Sequence, residues 1–519
     1  MSSPPTLDLA IIGGGITGAA VASEAARRGF SVGLIEKGDF ASGTSSKSSK
    51  LVHGGQRYLE SFRWGLVRES CRERARLALM APHLVRPLPF LFSVGEPGAP
   101  PKALLSLGLA LYRALAAGAS PGPTRFLRRE NAILAAEAPG LAPEGSTGAF
   151  RYFDAQADDV LLTLAYLRDA AARGATLRSY CAASKILRDR RGAACGVEGE
   201  DLRTGERIAA PARVVVAALG PWSNGVGALA GEDLAPSVRP SRGSHFFLPP
   251  GRLPLAAAVV LLDREGRRCY ALPWRGGTLL GTTDSHDEGS PDKVVPTAED
   301  RDLLLDAAAR FFPAARLSPS DVAGGFAGLR PLAVPVSPEA PDAISREDRL
   351  LEPLPRLLVS VGGKLTTARA TAERVLGRAE RILASDFGVT ATARPPRRDP
   401  LPGGAIPDFE TFRSEVRREA FRRAGLSEAQ ADRVLEREGD AALSAVDRMA
   451  REPELARPIS ERLPYTCSDL AWGVEEGGAR TVEDLLSRRV RLAWESPEEA
   501  ARAAPLAEEA LARYRPRNR

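Results

Sequence analysis

The most constraining feature of this chain lies in its first forty residues. An apolar run, Leu7 to Ile12, leads directly into Gly13-Gly14-Gly15-Ile16-Thr17-Gly18. An alanine-rich stretch from Ala19 to Arg28 follows, ending at Gly29, and a second apolar run from Ser31 to Ile35 is closed by Glu36. Short, uninterrupted apolar runs of this kind read as parallel strands buried on both faces. The alanine-rich stretch with a glycine just beyond it reads as a capped helix. Strand, helix and strand form one β-α-β unit, and its turn carries Gly13-x-Gly15-x-x-Gly18. In such a turn the first glycine permits the bend and the second admits a pyrophosphate against the backbone. The third lets the helix approach the strand, and the phosphates sit at the helix N-terminus, whose free N–H groups favour anions. Glu36 stands about twenty residues further on, where an acid accepts ribose hydroxyls and disfavours a 2′-phosphate. The unit predicts a dinucleotide site of the NAD or FAD type, and the glycine motif alone does not separate the two.

The 519 residues are enough for three or four domains at about 150 residues each. With 44% hydrophobic and 26% charged residues, the composition is that of an ordinary globular protein. Further strands are expected at Arg213 to Leu219, Ala257 to Leu262, Thr278 to Thr283 and Leu357 to Val361, with a helix near Thr367 to Ala384. The mixture predicts an α/β nucleotide domain interrupted by a sheet-based substrate domain. Thr390 to Pro407 is dense in proline, glycine and arginine and reads as a linker into a helical region, where Ser427-x-x-Gln430 forms a capping-box pattern. The net charge of +6 is small and spread along the chain. It suits an anionic ligand or an acidic membrane surface and gives no footprint for nucleic acid. Five scattered cysteines with no C-x-x-C pair argue against a disulfide framework, an iron–sulfur cluster or a structural zinc, and fit a reducing compartment. No metal site is expected. The first residues lack a basic n-region and an apolar h-region, so no signal peptide is expected. Ala103 to Ala117 is too short to span a membrane. It reads either as a buried helix of the substrate domain or as a shallow amphipathic membrane contact beside Lys102 and Arg113.

From Ser45 to Glu60 the chain reads Ser-Ser-Lys-Ser-Ser-Lys-Leu-Val-His-Gly-Gly-Gln-Arg-Tyr-Leu-Glu. This string closely resembles the signature of FAD-dependent glycerol-3-phosphate dehydrogenases, within the D-amino-acid-oxidase-like flavoproteins. The resemblance continues through Met80-Ala81-Pro82-His83-Leu84, Gly220-Pro221-Trp222, Gly243-Ser244-His245 and Gly281-Thr282-Thr283-Asp284. It goes on through Gly328-Leu329-Arg330-Pro331-Leu332, Ile344-Ser345-Arg346, Gly362-Gly363-Lys364-Leu365-Thr366-Thr367 and the stretch from Ala479 to Arg489. Gln56, Leu219, Ala368 and the pair Gly477-Gly478 depart from the family pattern. The fold class implied is α/β: a Rossmann-like FAD-binding domain interleaved with a mixed-sheet substrate (cap) domain, plus an all-helical C-terminal domain. The expected boundaries are 1–95, 150–240 and 325–390 for the FAD-binding domain, and 96–149 and 241–324 for the cap. Residues 391–407 are the expected linker and 408–519 the helical domain.

The activity implied is oxidation of sn-glycerol 3-phosphate with FAD as cofactor and electrons passed to a quinone. An amine or amino-acid oxidase on the same fold is the alternative. The implied location is cytoplasmic, peripheral on the inner face of the cell membrane. Membrane contact by residues 103–117, a homodimer, and oxygen in place of quinone stay open. The chemistry needs cations for a phosphate dianion, a base for a secondary alcohol and donors facing the flavin pyrimidine. Arg330 and Arg346 are the phosphate candidates, since a guanidinium fork matches phosphate oxygens, and the resemblance adds Arg57 and Tyr58 on the substrate side. His245 is the first candidate for the base, with His53 as its rival. Lys364 and Arg330 complete the catalytic set. Expected to hold the cofactor are Gly13, Gly14, Gly15, Gly18, Glu36, Thr44, Ser45, Ser46, Ser49, Lys50, Leu51, His53, Gly220, Trp222, Asp284, Gly363, Lys364, Leu365 and Thr366.

Overall fold

The computed structural model describes residues 5–516 apart from 236, 288, 335–347, 395 and 397. The opening β-α-β unit forms as expected: strand Leu7–Ile12, helix Ile16–Arg27 and strand Val32–Ile35. Leu7–Ile12 is central in a mainly parallel sheet, ordered Arg349–Leu354, Leu357–Val361, Arg207–Ala217, Leu7–Ile12, Val32–Ile35 and Thr176–Arg178. Its side chains alternate between two cores. Leu9 and Ile11 pack under the helices, while Ala10 and Ile12 face the hairpin of Cys181–Arg188 and Ala194–Asp201. Burial on both faces is why the run carries no polar alternation.

Helix Ile16–Arg27 is covered in turn by helices Asp159–Ala172 and Ala368–Phe387. Its buried face is Ala19, Ala20, Ala22, Ala25 and Ala26, whose small side chains let both neighbours approach closely. The buried Arg27 guanidinium is fixed by the Asp169 carboxylate at 2.6 Å, which also accepts the Ser23 hydroxyl.

The second sheet is larger and mainly antiparallel. It runs from Ser285–His286 through Val238–Leu248, Gly277–Gly281, Arg268–Trp274, Ala258–Leu262, Val85–Val94 and Gly148–Ala157 to Leu51–Val52. Gly324–Ala333 pairs along Val238–Leu248, and Arg125–Arg128 pairs with Gly148–Ala157. The expected cuts at 95, 150, 240 and 325 do not follow this division. Val85–Val94, Gly148–Ala157 and Gly324–Ala333 all lie on the second sheet. Strand partners are set by tertiary register, which strand-like runs alone do not carry.

Beyond residue 408 the chain is helical, and Ser427 and Gln430 form a reciprocal capping box at the start of Glu428–Glu438. The stretch read as a linker is fastened to the body. Thr392 N–H donates to Arg28 O at 3.0 Å, and Leu401 N–H to Met80 O at 2.9 Å. Gly403 lies against the buried ring of His83. Burial, with Arg168 and Arg86 adding to it, holds the His83 imidazole down at about 3. The unfolded chain takes up a proton near 6.5 that the folded chain refuses, so this site removes stability as the pH falls below 6.5. Replacing His83 with Gln is expected to reduce the stability lost between pH 7 and pH 5 by on the order of 1–2 kcal/mol. Urea titrations of both proteins at the two pH values measure the difference.

Candidate active site and cofactor cleft

One large cleft of about 1630 Å³ lies between the two sheets, with part of the helical domain forming its wall. Its floor begins where the strands Leu7–Ile12 and Arg207–Ala217 end side by side, the crevice in which parallel sheets bind ligands. Gly13 has φ +109°, and a Cβ on it would stand 2.5 Å from Ala218 O; a Cβ on Gly18 would stand 1.9 Å from Gly13 O. Only glycine lets turn, helix and neighbouring strand meet there. Ser45 Oγ accepts the N–H of Ile16 at 2.9 Å, which places the 44–46 turn over the helix N-terminus. Glu36 receives the N–H groups of Gly14 at 2.7 Å and Gly38 at 2.8 Å. Burial raises its carboxyl above the usual range against those bonds. Trp222 lines the same end, with the Lys37 ammonium 4.3 Å from its ring centroid.

Gly13, Gly15, Glu36, Thr44, Ser45, Ser46, Ser49, Leu51, His53, Gly220, Trp222, Gly363, Lys364, Leu365 and Thr366 all border the cleft. Four residues expected in the cofactor set do not. Gly14 turns its N–H to Glu36 and Gly18 packs against Gly13. Lys50 is fully buried, its ammonium bound to Asp159 at 2.8 Å and to Ser46 O at 2.7 Å. Asp284 pairs with Arg330 at 3.3 Å and accepts the Ser241 hydroxyl. Both acidic and basic groups are taken by partners that no short motif announces. Arg346 and the Arg57 side chain lie outside the described residues.

Elsewhere along the cleft, strand pairing brings further candidate residues together. His245 lies opposite Phe326 on one neighbouring strand and Gly281 on the other, and Ser241 lies opposite Arg330. The Arg330 guanidinium lies over Gly243, where a Cβ would come within 2.3 Å of Nη2. It donates to Thr282 Oγ1 at 2.7 Å and Thr283 O at 2.8 Å. The Gly362-Gly363 turn brings Lys364 Nζ to 3.8 Å from the Tyr58 ring centroid, and Thr366 Oγ1 accepts the N–H of His53 at 3.1 Å. His245 Nε2 lies 2.8 Å from Ser49 Oγ, and its ring stacks on Phe326 with centroids 4.9 Å apart. Nδ1 is buried with no hydrogen-bond partner among the described residues. Burial first, then the Lys50 and Arg330 charges, push the imidazole well below its ordinary 6.5. The ring is therefore held uncharged at neutral pH.

Several lining groups were not foreseen. Phe326 stands four residues before Arg330 on one strand, so the two-residue period places both on one face; that alternation is the signal that finds it. Phe90, Tyr152 and Tyr270 form an aromatic wall, with Phe90 and Tyr152 stacked at 5.3 Å. Trp494 enters from the helical domain, and no sequence pattern marks it.

Comparison with known proteins agrees with this architecture. Residues 8–376 match the model of FAD dependent oxidoreductases, and residues 397–516 match that of the C-terminal domain of alpha-glycerophosphate oxidase. The aerobic glycerol-3-phosphate dehydrogenase of Staphylococcus aureus is 32% identical over 486 residues, covering 93% of this chain and 86% of that protein. This chain belongs to the aerobic glycerol-3-phosphate dehydrogenase family of FAD-dependent oxidoreductases. Among solved structures, the glycerol-3-phosphate dehydrogenase of Bacillus halodurans complexed with FAD superposes with a TM-score of 0.77 at 28% identity, covering 98% of this chain and 92% of that one. Glycine oxidase of Geobacillus kaustophilus, at 24% identity and a TM-score of 0.55 over 77% of this chain and 99% of its own, shares the fold alone.

The cofactor of the family is FAD, and the residues present fit it: a glycine floor that a Cβ would fill, a helix N-terminus for the pyrophosphate, and Glu36 at the ribose position. Gly18→Ala is expected to purify with little flavin, read from the ratio of flavin to protein absorbance. In histidine-labelled protein, the ring resonances that vanish in His245→Ala are expected to stay those of a neutral imidazole at pH 6.5. A normal titration midpoint there would show that the ring is not held uncharged.

Proposed function

We propose that the protein oxidises sn-glycerol 3-phosphate to dihydroxyacetone phosphate, with a quinone at the inner face of the cell membrane as onward acceptor. The observation that carries this reading is that Arg330, Lys364, Tyr58 and His245 all border the FAD cleft. Two cations beside an uncharged base are what a phosphate dianion bearing a secondary alcohol requires. FAD, when bound, supplies the acceptor for the hydride from the substrate C2.

The chain's own residues do the rest. Arg330, held flat by Thr282 and Thr283, receives the phosphate, and Lys364 beside Tyr58 adds a second positive charge. His245 takes the hydroxyl proton. Ser49 Oγ, bordering the cleft at 2.8 Å from Nε2, carries the proton between substrate and ring. The aromatic wall of Phe90, Tyr152 and Tyr270 excludes water from this end.

The membrane part of the proposal rests on the surface. Helix Lys102–Ala116 buries Leu105, Leu109 and Tyr112 but leaves Leu104 60% and Leu107 67% exposed. Helix Trp64–Met80, which packs against it, presents Phe62 just before its start at 79% exposure and Trp64 at 47%. Exposed apolar and aromatic side chains beside Lys102 and Arg113 suit the interfacial region of a bilayer. Among the described residues no helix is long and apolar enough to cross a membrane.

Anaerobic addition of sn-glycerol 3-phosphate to the yellow protein is expected to bleach its oxidised-flavin band. Bleaching by glycine or sarcosine instead would transfer the protein to the amine oxidases. His245→Ala is expected to slow the reduction about 10²- to 10⁴-fold. Arg330→Ala is expected to lower kcat/KM about 10- to 100-fold, mainly through KM.

A further inference from the structure

Two contacts set the ring of His245: the Ser49 hydroxyl on Nε2 and the face of Phe326. Both are backed by one short stretch of the helical domain. The Trp494 ring meets Phe326 edge-on at 4.9 Å, and it is itself wedged against Phe247 at 6.0 Å and Trp274 at 6.4 Å. The Trp494 carbonyl sits so close to Gly324 that a Cβ there would stand 2.3 Å from it. Tryptophan and strand are thus in register with no slack.

The Ser49 side is held by ion pairs. Arg491 Nη2 lies 2.6 Å from both Asp158 and Asp159. Asp159 in turn accepts the Ser48 hydroxyl at 2.6 Å and the Lys50 ammonium at 2.8 Å. Ser49 is therefore fixed through both neighbours in sequence. Lys50 and Arg491 adopt φ of +60° and +75°, left-handed conformations uncommon for residues other than glycine.

We propose that Trp494 and Arg491 are positioning residues for His245, so that the helical domain completes the reactive end of the cleft. This rests on His245 being the base. Trp494 acts through Phe326 and sets the plane of the imidazole. Arg491 acts through Asp159 and sets the reach of Ser49 to Nε2. A displacement of either partner misaligns the proton acceptor without removing a group that binds phosphate.

The test is a double-mutant cycle on the holoenzyme, read as the limiting rate of anaerobic flavin reduction at saturating sn-glycerol 3-phosphate. Trp494→Leu is expected to slow reduction about tenfold or more, with flavin content and KM little changed. Trp494→Phe, which keeps a ring on Phe326, is expected to recover most of the rate. In a His245→Ala background, Trp494→Leu and Arg491→Lys are expected to have no further effect, because the group they position is gone. Equal losses in both backgrounds, or no rescue by phenylalanine in a protein with full flavin, would overturn the proposal. Wild-type reduction by His245→Ala alone would overturn the assignment of the base itself, a separate and recognisable result. If Trp494→Leu purifies without flavin, Phe326→Leu carries the same cycle to the same decision.

Discussion

The fold depends on a pair of adjacent carboxylates, Asp158 and Asp159, at the start of helix Asp159–Ala172. Asp158 caps that helix, accepting the N–H groups of Val160 and Leu161 at 3.0 and 3.1 Å. It also binds Arg275 from the second sheet at 2.8 Å and Arg491 from the helical domain at 2.6 Å. Asp159 binds Arg491, Lys50 and Ser48. Four parts of the molecule, widely separated in sequence, therefore meet on two side chains. Burial alone would raise the Asp158 carboxyl, but Arg491 and Arg275 outweigh it and hold the group below the usual carboxylate range. Removing one member of such a pair leaves a buried charge uncompensated, at about 3–5 kcal/mol. An apolar replacement of all members could match that stability. It would not hold Ser48 and Lys50 on either side of Ser49, and that placement is what the ionic arrangement adds.

The division of labour between the sheets follows from their strand types. The parallel sheet ends on loops at one edge, so it supplies turns: Gly13 to Gly18, Gly220 to Trp222 and Gly362 to Thr366. Turns offer backbone N–H groups and close approach, which suit phosphates and a planar ring system. The antiparallel sheet supplies side chains at fixed two-residue spacing. Phe326, Gly328 and Arg330 project from one strand, and Gly243 and His245 from its neighbour. Arg330 and His245 are thus placed by rigid strand register, while Lys364 and the glycine turns stand on loops folded against it.

This difference also explains what the sequence disclosed. Glycine turns and their flanking strands are local, and the opening β-α-β unit, Glu36 and the Ser427–Gln430 capping box could be read residue by residue. The strings around Arg330, His245 and Lys364 named groups that all border the cleft. Register and long-range pairing were not legible. Lys50 looked like a cofactor contact because it lies among serines of the flavin-side turn, yet its partner, Asp159, is 109 residues away. Asp284 ends a family string but serves Arg330 across the sheet. Trp494 lies far along a helical domain that local reasoning would treat as an appendage. The stretch 391–407 has the composition of a linker, and only the tertiary structure gives Leu401 a partner at Met80.

On the proposed reading of His245 as the base, the electrostatics around it favour a group that gains strength when substrate is present. In the free protein, burial and the charges of Lys50 and Arg330 both disfavour a proton on His245. Lys50 is already matched by Asp159, whereas Arg330 faces Asp284 at 3.3 Å on the partly exposed rim. On the proposed reading, a phosphate dianion arriving at Arg330 would offset one of the two charges that oppose protonation of the ring, the lesser after Lys50. That offset moves the ring toward imidazolium at the moment the alcohol proton must leave, while loss of water from the cleft moves it the other way. A histidine with an ordinary proton affinity would be partly charged before substrate arrived and so partly unable to act. On that reading, holding the ring low in the free protein and raising it through the substrate's own phosphate would tie proton acceptance to occupancy of the proposed phosphate site.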